Sequence, residues 1–140
     1  MSLGEQGALM DQIGRAAVDQ APPGWTWITV VIDAMGDSAR VDAVAHTDES
    51  ETPFNLGGSG GLACLDLREA MYRPKTGTWY RAQFRIDASG QLASDFDYDG
   101  MPYDAEEEGS ADVRDVLLHD HELYPRDDEH LPAWHPAKLA

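Results

Sequence analysis

The residues from Asp95 to Glu106 read DFDYDGMPYDAE and meet the spacing of a calcium loop, with carboxylates at 95, 97 and 99, Gly100, and a closing Glu106. Such a loop wraps oxygens around a hard cation and needs a helix on each side to do so. Pro102 occupies the position whose N–H normally bonds to a paired loop, and proline has none. The residues leading into Asp95 alternate as a strand does, which sends Asp95 and Asp97 to one side rather than around one ion. The pattern occurs once, so no second loop exists to pair with it. The stronger reading is a charged outer strand face running into a solvated acidic loop, with calcium binding as the alternative.

Other chemical signals are weaker. GSGGLA (58 to 63) fits a dinucleotide pattern and precedes a helix, but such a loop should follow a buried parallel strand, and SETPFN is a poor strand. It reads as part of a mobile glycine-rich loop over 48–61. Cys64 lies near a helix start, where a thiol can become nucleophilic. Its neighbours Leu62, Leu65 and Leu67 favour a buried packing cysteine. His119 and His121 are two apart on a helix and point in different directions, while His46, His130 and His135 have no recognised ligand spacing. No nucleophile elbow accompanies the serines, and paired carboxylates are too abundant to be diagnostic. The residues therefore suggest no enzyme, no cofactor and no metal, with a small enzyme using Cys64 or histidine as a second alternative.

The elements that must position these residues follow from periodicity. One domain is expected of 140 residues. Leu9, Ile13, Ala16 and Ala17 recur at helical spacing before Pro22-Pro23-Gly24. WTWITVVID (25 to 33) and ARVDAVAHT (39 to 47) form a hairpin about Gly36-Asp37, and LACLDLREAMYR (62 to 73) forms a helix with Leu62, Leu65, Ala70 and Met71 inward. The next hairpin is the clearest. Tyr80, Ala82, Phe84 and Ile86 share one face, leaving Trp79, Arg81, Gln83 and Arg85 on the other. A loop of Ala88-Ser89-Gly90 with glycine left-handed pairs Ile86 with Leu92, Arg81 with Asp97, and sets Arg85 diagonal to Asp95. Ser110 caps a helix from Ala111 to about Tyr124, stopped by Pro125, and the proline-punctuated tail 125–140 is pinned by Leu131 and Trp134. The order αββαββα gives an α+β domain, an antiparallel sheet with helices packed on one face.

The chain carries 26 acidic against 10 basic residues, a formal charge of -16, which argues against nucleic acid and anionic lipid as partners. A single cysteine forbids an internal disulfide, and no apolar run approaches a membrane span, so a cytoplasmic protein is expected. Trp79 beside Arg81 would give an aromatic and charged surface suited to a protein contact. An edge strand such as 39–47 could pair two copies, leaving a monomer or a weak homodimer.

WYRAQFRIDASGQLASDFDYDGMP followed by HELYPRDDEHLPAW resembles the YezG-like family of bacterial immunity proteins, through Trp79, Gly90, Phe96, Tyr98-Asp99, Pro102, Tyr124-Pro125-Arg126 and Pro132-x-Trp134. The first half matches only in layout, and the glycine-rich stretch 57–61 departs from the family pattern. The resemblance implies a cytoplasmic antitoxin, encoded beside a polymorphic toxin, that binds the toxin's C-terminal domain. Such toxins are often nucleases with basic surfaces, and the acidic charge independently fits a basic partner. The expected contact surface comprises Trp79, Arg81, Asp95, Asp97, Asp99, Tyr103, Asp104, Glu106, Glu107 and Glu108, with Tyr103 as an aromatic anchor.

Overall fold

A computed structural model describes residues 3–36, 38–100 and 111–139. Helix α1 (Leu3–Gln20) leads into strands β1 (Trp27–Met35), β2 (Ser38–His46) and β3 (Glu51–Phe54). Helix α2 (Gly58–Ala70), strands β4 (Arg81–Asp87) and β5 (Leu92–Asp97) and helix α3 (Ala111–Leu123) follow. A 3-10 turn (Asp128–His130) and the short α4 (Pro136–Leu139) complete the order. All strand pairs are antiparallel, in a five-stranded sheet ordered β3-β2-β1-β4-β5. The fold is α+β, as periodicity suggests.

One sheet face is built from β-branched and aromatic residues in register: Ile28 beside Ile86, Val30 beside Phe84, Ile32 beside Ala82. α1 contributes Ile13 and Ala17 to this face and α2 contributes Ala63, Cys64 and Leu67, all in one buried cluster. The two helices approach closely at Gly60, where an added Cβ would lie 3.0 Å from both the Ala16 and the Leu56 Cβ. Gly60 thus serves helix packing. The expected mobile loop over 48–61 is corrected accordingly: its first half holds edge strand β3, and its last residues are the first turn of α2. The inward set on α2 is also corrected. Ala63, Cys64, Leu67, Arg68 and Ala70 are buried, while Leu62 is 63% exposed, because the helix starts earlier and packs on a face rotated from the one read in sequence. β2 lies inside the sheet with β3 beyond it, so 39–47 is not an edge.

The β4–β5 hairpin has the expected register, with Ile86 opposite Leu92 and Arg81 opposite Asp97. Asp87 and Gln91 close the loop through a backbone hydrogen bond of 3.1 Å, and Gly90 takes φ 88°, a left-handed conformation that other residues rarely adopt. The Asp87 side chain accepts hydrogen bonds from the Ser89 hydroxyl and from the Ser89 and Gln91 N–H groups, and its pKa is lowered chiefly by the hydroxyl.

At one end of the sheet α2, α3 and the β1–β2 turn meet on a buried ion pair. Arg68 grips Asp120 with both Nη atoms, and its Nε–H donates to the Trp79 carbonyl at 2.7 Å. Asp120 Oδ1 also accepts the Gly36 N–H at 2.7 Å. Nearby, Thr78 donates its hydroxyl to the Arg68 carbonyl, and Arg126 donates to the carbonyls of Thr78 and His130 while its guanidinium covers the Tyr80 ring at 4.6 Å. These contacts connect chain segments far apart in sequence.

Removing one member of a buried pair strands the other charge, whereas replacing both with apolar groups is often neutral. Asp120→Ala is therefore expected to cost about 3 to 5 kcal/mol in urea unfolding. The double variant Arg68→Met/Asp120→Leu should recover most of that loss. A double variant as unstable as the single one would show that the pair contributes more than mutual neutralisation.

Candidate functional site

The sheet face opposite α1 and α2 presents the odd-numbered side chains of β1, β4 and β5. Reading across strands in register gives rows: Arg40, Asp33, Arg81, Asp97; then Asp42, Val31, Gln83, Asp95; then Val44, Thr29, Arg85, Ala93. Arg81 Nε–H donates to Asp33 Oδ1 at 2.8 Å; the Asp33 carboxylate is buried and the Arg81 side chain half-exposed. Asp95 and Asp97 are exposed. At the far corner Trp27 and His46 stack face to face with centroids 4.7 Å apart, Thr29 Oγ1 lies 2.9 Å from His46 Nε2, and the Arg85 guanidinium sits 5.3 Å from the Trp27 ring.

β5 runs from this face into a turn fixed by Asp97. Its Oδ1 accepts the N–H groups of Asp99 and Gly100 at 3.0 and 2.9 Å. The segment entering the calcium-like motif is therefore a strand, where an EF-hand requires a helix, and one of its carboxylates is engaged in holding a backbone turn. Asp99 is fixed from the other side, since Trp134 Nε1–H donates to its carbonyl at 2.7 Å.

Among the candidate contact residues, Arg81, Asp95, Asp97 and Asp99 gather along the β4–β5 hairpin and the turn that follows it. Trp79 is a correction. It is fully buried, its ring 5.8 Å from Phe96 and its Nε1 3.3 Å from Met71 Sδ, so it offers nothing to a partner. Alternation fails there because regular strand geometry begins at Arg81, and both Trp79 and Tyr80 turn inward, into different clusters. Tyr103, Asp104, Glu106, Glu107 and Glu108 lie outside the described residues, as do Pro102 and the Ser110 cap. Trp27, His46 and Arg85 do not stand out as one patch in the sequence. The register of Ile28 and Val30 against the core, which puts Trp27 on the opposite face, was the available signal.

The alternative chemistries can be placed as well. Cys64 is buried and its thiol pKa is pushed up to about 12 by burial, which makes it a packing residue rather than a nucleophile. GSGGLA follows an antiparallel edge strand, not a buried parallel one. His46, His130 and His135 stand in three different surroundings: the outer sheet face, an exposed turn and the buried base of the C-terminal segment. Among the described residues, Asp127, Glu129 and His130 bring ligand atoms within 4.8 Å of one another on the exposed 3-10 turn.

His135 anchors the C-terminal segment that holds Asp99. It is buried beside Trp134, Tyr80 and His121, with Nδ1 accepting the Ala137 N–H at 3.1 Å. Its Nε2 has no hydrogen-bond partner among the described residues. Burial, then the charge of His121, push its pKa down to about 4; Arg126 acts in the same direction, and Asp120 and the Leu117 backbone oppose. No family model matches the sequence, and no curated protein matches it either.

A histidine that is neutral when folded and protonates near 6.5 when unfolded stabilises the fold fully above that pH, and the contribution fades as pH falls towards about 4. The loss over this window is expected to reach about 3 kcal/mol. Urea midpoints measured across the window should fall less steeply for His135→Gln than for the parent. Parallel profiles would contradict the assignment of this window to His135.

Proposed function

We propose that the chain is an immunity protein, a non-catalytic cytoplasmic antitoxin that binds a basic toxin domain encoded beside it and blocks that domain's active surface. The observation that carries this reading is the display of Asp95, Asp97 and Asp99 along the last strand and its turn, on a chain of net charge -16. The Asp97 carboxylate and the Asp99 backbone take part in hydrogen bonds that hold the turn, so the Asp97 side chain and the backbone carrying Asp99 are presented with little ordering left to lose on binding. Aligned negative charge accelerates encounter with a cationic surface and rejects acidic competitors. The likeness of the second half to YezG-like immunity proteins points the same way.

The Trp27, His46 and Arg85 patch lies on the same sheet face and supplies the aromatic and guanidinium groups that commonly anchor protein contacts. Arg81 is paired with Asp33 and set opposite Asp97 in the ladder. The aspartates of β5 then act through charge rather than through a bound ion.

Co-expression with the toxic domain of the adjacent gene should restore growth, and the two chains should co-purify. Asp95→Lys with Asp99→Lys is expected to slow association at least about tenfold at low ionic strength, with a smaller effect at high salt. No rescue and no co-purification would overturn the proposal, and an unchanged association rate would remove these carboxylates from it.

A further inference from the structure

The two edges of the sheet are built differently. β3 is four residues long and has Pro53 within it, which removes a donor from that edge. β5 is six residues long with no proline, and no strand among the described residues pairs with its outer side. Its hydrogen-bonding pattern is set by the loop. With Asp87 N–H bonded to the Gln91 carbonyl, alternation directs the backbone of Ala93, Asp95 and Asp97 towards β4, and turns the N–H and C=O groups of Leu92, Ser94 and Phe96 outward. The Ala34 N–H bond to the Tyr80 carbonyl, 2.8 Å, fits the same alternation on the other side of β4. Among the described residues, this edge is therefore a row of backbone groups without a strand to pair them.

The surroundings specify what can join it. On the outer face an added strand would meet Asp95 and Asp97, which repel acidic chains and attract cationic side chains. On the inner face α1 reaches over the edge and leaves a groove of about 330 Å³ lined by Met10, Gly14, Val18 and Leu92, with Asp11, Arg15 and Asp19 also in its wall. Val18 is 43% exposed, an apolar side chain facing a position that the sheet does not fill. Gly14 approaches the Leu92 side chain, where an added Cβ would lie 3.8 Å from Cδ1.

We propose that β5 receives one extended segment of a basic protein partner, which adds to the sheet beside it with cationic side chains facing Asp95 and Asp97 and apolar side chains entering the groove under α1. This deepens the binding role proposed above and rests on it. Main-chain hydrogen bonds would supply affinity, and the alternating charge and groove would supply specificity, as in other strand-addition complexes.

The test uses the whole chain and a short labelled peptide of alternating lysine and valine, followed by fluorescence anisotropy. A second peptide has the same sequence with alternate backbone nitrogens methylated. Ser94→Pro removes an outward donor without touching the β4 ladder, and its unfolding temperature should stay near the parent's. Strand addition predicts that Ser94→Pro and backbone methylation each weaken binding at least about tenfold, and that Asp95→Lys does so in a salt-dependent way. Loss with Asp95→Lys alone, with Ser94→Pro and the methylated peptide unaffected, overturns strand addition and leaves the charge-based reading standing. No binding of the parent peptide at millimolar concentration also overturns strand addition, and the co-expression trial then decides the broader reading separately. If Ser94→Pro does not fold, the methylated peptide on the parent protein decides between the same two outcomes.

Discussion

The buried pairing of Arg68 with Asp120 is the constraint on which the architecture around the site depends. It ties α2 to α3, and through the Gly36 N–H and the Trp79 carbonyl it fixes the β1–β2 turn and the segment entering β4. Desolvating two charges is expensive unless their remaining donors and acceptors are met. Here carbonyl and amide partners contribute, and the rings of Tyr124 and Tyr80 lie 5.0 and 5.7 Å from the guanidinium. β4 enters the sheet from this node, while the loop at Gly90 sets Arg81 opposite Asp97.

The same node reaches outward to the carboxylates. Arg126, bonded to the Thr78 carbonyl, and His135, packed near Tyr80, hold the C-terminal segment against this end of the sheet. Trp134 carries that restraint to the Asp99 carbonyl, 2.7 Å away. The acidic turn is therefore supported by its own Asp97 bonds and by a segment 35 residues later in the chain. A charged surface held this way can meet a partner without first being ordered, which favours rapid and selective association.

Much of the scaffold was legible where a single period dominates. Strict alternation from Arg81 to Ile86, with Gly90 in a three-residue loop, specified the β4–β5 register, and Ile13 with Ala17 marked the buried face of α1. The failures share a cause: tertiary contacts that local pattern does not encode. Trp79 reads as outward because Tyr80 reads as inward, yet both are buried at the sheet end. The composition of LGGSGG (56 to 61) reads as loop, although Gly60 lets α1 and α2 touch. Arg68 sits among residues that look like an exposed helix face, and Asp120, its partner, is 52 residues away. β3 was hidden by Pro53 and its polar neighbours. Of the site, Arg81, Asp95, Asp97 and Asp99 were legible as a charge pattern, whereas Trp27 with His46 and Arg85 required the register of three strands.

If carboxylates on the β5 edge dock a basic protein, that edge must change its solvent protection when the partner arrives. Amide hydrogen exchange of this chain, alone and mixed with the basic toxin domain proposed as its partner, measures this most directly. New protection is expected to concentrate in residues 92–99, with the α2 surface around Leu62 unchanged. Protection confined to that α2 surface, or none anywhere despite a stable complex, would contradict docking at β5.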